Sequence, residues 1–238
     1  PIRRVVTGHD ADRKAVVTID DYATNHKWSP KGGNVSTLIW YADEMPMEIW
    51  SDEDYGARIV DRQPVPRGTR ICMIDFHPGN PGMMHRTDTL DYVVCLAGEI
   101  DMELDDGAIT HMKAGDMMVQ QATNHSWINR GTQTARLGFV MTDSKAQPGP
   151  GDISAPPSAP HDSVGEPPET PIRRIVTTHN AAGRAIVGMD GPATNHKWSP
   201  RGMISTLIWS TDECPAEIWT DEDYGARKIG TQPPKNGS

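Results

Sequence analysis

From Ile71 to Thr142 the apolar residues come in short runs separated by turn residues. DYVVCL gives way to AGE, IDMEL to DDG, AITHM to KAGD and MMVQ to QATN, and HSWIN and ARLGFVMT follow. IDMEL alternates without a break, which puts Ile100, Met102 and Leu104 on one face and Asp101 and Glu103 on the other, the pattern of a half-buried strand. Asp105, Asp106 and Gly107 tolerate the positive φ that a tight hairpin demands. Hairpins repeated at this spacing predict an antiparallel sandwich or barrel. The flanking segments are less periodic: STLIW strands sit among loops, and DEDYGAR fits a loop or a short turn of helix. A small barrel leaves a sheet edge open, and a leading arm is well placed to cover it by strand addition.

Part of the chain occurs twice. PIRRVVTGHDADRKAVV at Pro1 returns as PIRRIVTTHNAAGRAIV at Pro171, ATNHKWSP recurs at Ala23 and Ala193, STLIW at Ser36 and Ser205, and DEDYGAR at Asp52 and Asp221. More than half of the aligned positions are identical, which marks a duplication. The segment after Thr69, which carries the strand pattern above, has no second instance. Three parts are therefore expected: an arm and barrel over 1–142, a linker over 143–170, and an orphan arm over 171–238 that lacks its own barrel. The linker is rich in Pro, Ser and Gly and too poor in apolar residues to fold, so it is expected to be flexible. Its coil length spans about 30 Å, enough for the second arm to dock on the barrel of this chain or of a twin.

Composition narrows the function. A formal charge of −9 without a basic patch argues against nucleic acid as a partner. No apolar run approaches the roughly 18 residues of a membrane span, so no membrane partner is expected. The three cysteines are scattered and read as reduced thiols, which points to the cytoplasm. No signal-peptide pattern is visible. Because the chain starts at Pro1, it is expected to be a fragment or a processed form.

Two short motifs carry the chemistry. His85, Thr87, Asp91 and Gly98 follow the spacing His-any-His, then Glu, then Gly, with Thr87 in place of the second His and Asp91 in place of Glu. Gly115, His125 and Asn129 match a second motif, with an intervening turn one residue shorter than usual and without its Pro and Gly. Together they resemble the cupins, small double-sheet β-barrels. HRTDTLDYVVCLAGEIDMELDDG more narrowly resembles a subgroup of single-domain cupins from bacteria and fungi. The resemblance implies an all-β fold, an antiparallel double-stranded β-helix or jelly-roll barrel preceded by an arm.

On a regular strand, residues 85, 87 and 91 share parity and would point into the barrel, where His125 could meet them from a neighbouring strand. Two neutral imidazoles and a carboxylate would make a three-ligand set for a divalent metal, Fe, Zn, Mn or Ni. Asp88 has the opposite parity. In the bland alternative, His85 is a hydrogen-bonded lining residue and Asp91 caps a turn or pairs with an arginine. Thr87, Tyr92, Cys95 and Trp127 are candidates for the substrate pocket, although a buried thiol such as Cys95 also serves as small core filling. His26 and Trp28, repeated as His196 and Trp198, either close the pocket mouth or anchor the arm in an apolar groove.

The first functional expectation is a metal-dependent enzyme acting on a small carbonyl- or carboxylate-bearing metabolite, of lyase, isomerase, decarboxylase or dioxygenase type. The alternative is a metal-free cupin module that holds a small molecule without catalysis. In either case a homodimer formed by arm exchange is expected.

Overall fold

The computed structural model describes residues 1–29, 33–51, 53–60, 66–145, 168–198, 203–220 and 222–229. All regular structure in these residues is β, apart from one 3-10 turn at Asp105–Gly107. The first arm supplies β1 (Arg3–His9), β2 (Ala15–Tyr22), β3 (His26–Trp28) and β4 (Asn34–Ala42). The barrel segment supplies β5 (Thr69–Phe76), β6 (Thr89–Ala97), β7 (Glu99–Leu104), β8 (Ile109–Lys113), β9 (Met117–Gln121), β10 (His125–Ile128) and β11 (Ala135–Asp143). The second arm supplies β12 (Arg173–His179), β13 (Ala185–Pro192), β14 (His196–Trp198) and β15 (Ile204–Thr206).

Eight strands form one sheet in the order β13-β12-β9-β6-β11-β5-β4-β3, and three form another in the order β10-β7-β8. Side chains from both sheets enclose one core that includes Val93, Met102, Met118, Trp127, Leu137 and Phe139. The alternation read in IDMEL is the alternation observed: Ile100, Met102 and Leu104 are buried in that core, while Asp101 and Glu103 are half-exposed. Burying each such side chain contributes about 1.5–3 kcal/mol. Gly98, at the turn from β6 to β7, has φ +70, and a Cβ there would lie 2.7 Å from the Thr134 carbonyl oxygen. Only glycine fits that turn.

The two arms attach in opposite ways. In the first arm, β3 and β4 extend the large sheet through β5, while β1 and β2 form a separate two-stranded sheet. In the second arm it is the leading hairpin that joins the large sheet, with β12 on β9, while among the described residues β14 and β15 pair only with each other. The pairing of β12 with β9 is parallel, so the large sheet is mixed rather than antiparallel as the barrel expectation had it. The second arm is also not left loose: Leu90, Val119 and Ala122 of the barrel bury against Val176, Trp209 and Ile218 of this arm. Most of the expected flexible linker, residues 146–167, lies outside the described residues.

Candidate functional site

A cavity of about 560 Å³ opens on the inner face of the large sheet. Its floor is apolar, with Trp127 set edge-on to Phe139 at 5.8 Å, and its rim runs through Gly82, Met83 and Arg86. The polar groups that line it include His85, His125, Asp91, Arg70, Ser36 and Cys72. The strand pattern explains their convergence. On β5, Arg70 and Cys72 share parity with Phe76 and all three are buried. On β6, Asp91 shares parity with Val93 and Cys95.

His85 pairs with His125 across an isolated antiparallel bridge, which brings the ring centroids to 4.4 Å. His85 Nδ1 lies 2.8 Å from the Met83 carbonyl and His125 Nδ1 lies 2.9 Å from the Thr123 carbonyl. A carbonyl only accepts, so in these two contacts each ring donates from Nδ1. Gln120, fully buried, sits beside His125, with its amide nitrogen 2.8 Å from Nδ1 and 3.3 Å from Nε2. Burial first, and the neighbouring His85 second, lower the His125 pKa to about 3, so this ring is neutral. Gly82 holds the rim against β10: its φ is +74, and a Cβ would lie 2.2 Å from Ser126 Oγ.

Asp91 is buried, and burial pushes its carboxyl up to about 7, partly offset by the Thr89 hydroxyl. Its Oδ1 finds no hydrogen-bond partner among the described residues. Arg70 is buried in the same wall and donates from Nη2 to Ser36 Oγ at 3.3 Å. The Cys72 thiol is raised by burial, with Arg70 pulling the other way.

The structure brings together some of the residues singled out in the sequence. His85, Thr87, Asp91, His125 and Trp127 line the cavity. Tyr92 points to the other side of the sheet and packs with the second arm, and Cys95 is buried in the core. His26 binds Thr37 Oγ1 at 2.9 Å, and Trp28, 65% exposed, stacks on His77 at 6.3 Å; neither lines the cavity. Asp88 pairs with Arg86 on the surface.

Among the described residues no three His, Cys, Asp or Glu side chains are grouped to hold a metal ion. The expected ligand set reduces to two imidazoles in contact, with Asp91 elsewhere in the same wall. The reason is local. Parity applies along a continuous strand, but β6 begins only at Thr89, and residues 86–88 leave the ladder. A divalent metal does not fit this donor set, which offers only two nitrogens where three or four ligands are usual.

Arg70, Ser36, Cys72 and Gln120 were missed in the sequence. An arginine at inward parity in TRICMIDF was a readable signal; Gln120 offered none.

No family profile matches the chain. The cupin-domain-containing oxidoreductase fogC of Aspergillus ruber is 33% identical over 145 residues, covering 59% of this chain and 71% of the relative. The cupin-domain-containing oxidoreductase virC of Hypocrea virens is 33% identical over 147 residues, covering 60% and 76%. Among solved structures, an RmlC-like cupin from Shewanella frigidimarina superposes with a TM-score of 0.34 at 13% identity, over 51% of this chain and 96% of that one. An all-β barrel with a histidine-lined cavity defines the class. The chain belongs to the cupin superfamily. No helix among the described residues is long and apolar enough to cross a membrane.

Proposed function

We propose that this chain is a cupin-type enzyme that moves a proton on a small anionic, carbonyl-bearing substrate held in the barrel cavity. The observation that carries the reading is two imidazoles in contact, of which His125 is neutral, and a carboxyl with a pKa of about 7, all lining one cavity together with a buried guanidinium. In this reading Arg70 attracts the anionic end of the substrate. His85 Nε2 accepts a proton from the carbon next to the carbonyl. His125, held by Thr123 and Gln120, stays neutral beside it, so the proton taken up by His85 meets no second charge. The protonated Asp91 donates toward the oxygen that becomes negative, and Trp127 and Phe139 exclude water. The relatives carry the designation oxidoreductase. Proton removal gives an electron-rich enolate, the species on which a redox step would draw, so that designation and this reading are compatible.

The test is proton exchange. The chain is incubated in D2O with a panel of 2-oxo and 3-oxo carboxylates, and deuterium incorporation is followed by NMR. At least one compound is expected to exchange faster than in buffer, with the rate falling ~100-fold in His85→Ala and Asp91→Asn. Metal content, measured on chain purified without a metal-affinity column, is expected to be well below one ion per chain and unchanged in Asp91→Asn. Failure of every compound to exchange, with ligand-induced melting shifts retained, would leave the cavity a binding site without catalysis.

A further inference from the structure

The two arms have the same internal build in different surroundings. In each, a strand arginine forks onto an aspartate: Arg4 on Asp54 at 2.7 and 2.9 Å, and Arg174 on Asp223 at 2.8 Å twice. In each, an asparagine amide bridges two carbonyls, Asn25 to Gly56 and Arg58, and Asn195 to Gly225 and Arg227. In each, a histidine lies on a tryptophan at 4.6 Å, His9 on Trp50 and His179 on Trp219. The hairpins share one register and one bulge, after Val6 in β1 and after Val176 in β12. Each hairpin is therefore shaped by its own arm and not by what it docks on.

What it docks on is visible only for the second. There β12 lies parallel to β9, with Arg174, Ile175 and Val176 opposite Met117, Met118 and Val119. Thr177 Oγ1 accepts from the Gln121 amide at 3.2 Å and meets Thr123 Oγ1 at 3.1 Å, and Arg173 reaches Asp116 at 3.0 Å. The first hairpin presents Arg3, Val5, Val6 and Thr7 in the same order, but among the described residues β1 pairs only with β2. Val5 is 50% exposed where Ile175 is 0% exposed.

We infer that the β1–β2 hairpin is a strand donor for a second barrel of this same type, adding in parallel to that barrel's β9 edge. Arg3 would face Asp116 there, Val5 and Val6 would cover Met118 and Val119, and Thr7 would meet Gln121 and Thr123. The chemistry that recognises the hairpin is thus a β9 edge with this acid, these apolar residues and this amide. Another copy of this chain supplies such an edge when its own second arm is lifted off. One barrel takes one hairpin and each chain carries two, so β1 and β12 compete for β9.

The experiment uses the full chain with Ile175→Lys and Val176→Lys, which opens its β9 edge, and reads mass by light scattering. The variant is expected to double in mass, to form a one-to-one complex with the unaltered chain, and to return to a monomer when Val5→Lys and Val6→Lys are added. A variant that melts cooperatively yet stays monomeric, or a dimer indifferent to the Val5 and Val6 changes, would overturn the inference. If the double lysine variant does not melt cooperatively, Arg173→Glu, which sets like charge against Asp116 at the β9 edge and leaves both apolar residues in place, is read by the same criteria.

Discussion

Burial shifts the proton count at Asp91 and His125 in opposite directions. The Asp91 carboxyl moves from 3.8 to about 7, so the folded chain holds a proton there that the unfolded chain releases between those values. Stability from this group is complete below the lower value and is lost as pH rises toward the upper one. His125 moves from 6.5 to about 3, so its contribution is complete above 6.5 and is lost as pH falls toward 3. His179, lowered to about 4 mainly by burial, acts in the same sense as His125. Between about pH 4 and 6.5 the slopes from Asp91 and His125 cancel, and single variants expose each one. Asp91→Asn is expected to gain stability relative to the unaltered chain as pH rises, on the order of 4 kcal/mol by about pH 8. His125→Gln is expected to lose ground over the same rise up to about pH 6.5. Urea midpoints across pH measure both, and an Asp91→Asn curve parallel to that of the unaltered chain would show that this acid is not protonated in the fold.

The strands themselves set how tightly each arm is bound. Arg174 and Asp223 are both 6% exposed at the side chain, whereas the partners of Arg4, Asp54 and Asp21, are 33% and 53% exposed. Removing one member of a buried pair strands the other, so Arg174→Ala is expected to cost about 3 kcal/mol. Arg4→Ala costs less, because water reaches both aspartates. Chemical denaturation of the two variants gives the comparison, and equal losses would contradict the asymmetry. Thr177→Val is expected to cost about 1–2 kcal/mol, since it leaves the Gln121 amide and the Thr123 hydroxyl short of a partner in the buried edge. Such asymmetry marks where the sequence stopped being informative. The β7 alternation, the turn at Gly98 and the two histidines could be read because they depend on period and spacing alone. The position of Asp91 could not, because His85 and β6 are separated by residues 86–88, whose departure from the ladder leaves no trace in parity. Nor could the parallel seat of β12, since PIRRVV and PIRRIV are nearly the same string.

That near-identity makes the whole molecule a test of context against composition. The strands β1 and β12 themselves differ only at Val5/Ile175 and Gly8/Thr178, so their amides exchange with solvent at similar intrinsic rates when unprotected. Opening free energy is set instead by what each hairpin is packed on. β12 has seven residues of which six are buried, and it is bonded on one side to β13 and on the other to β9. Only one of the seven residues of β1 is buried, and among the described residues its ladder runs to β2 alone. A two-stranded hairpin is marginal by itself in water, whereas a strand inside an eight-stranded sheet opens only when that sheet does. At low micromolar concentration, hydrogen exchange read by mass spectrometry is therefore expected to be at least ~100-fold slower in peptides covering 173–179 than in those covering 3–9. Lifting the second arm off β9 with Ile175→Lys and Val176→Lys should reverse the order, because the open edge then takes up β1 of another copy. Equal protection of the two hairpins in the unaltered chain would mean that the first also has a partner strand, and that the two arms are held alike.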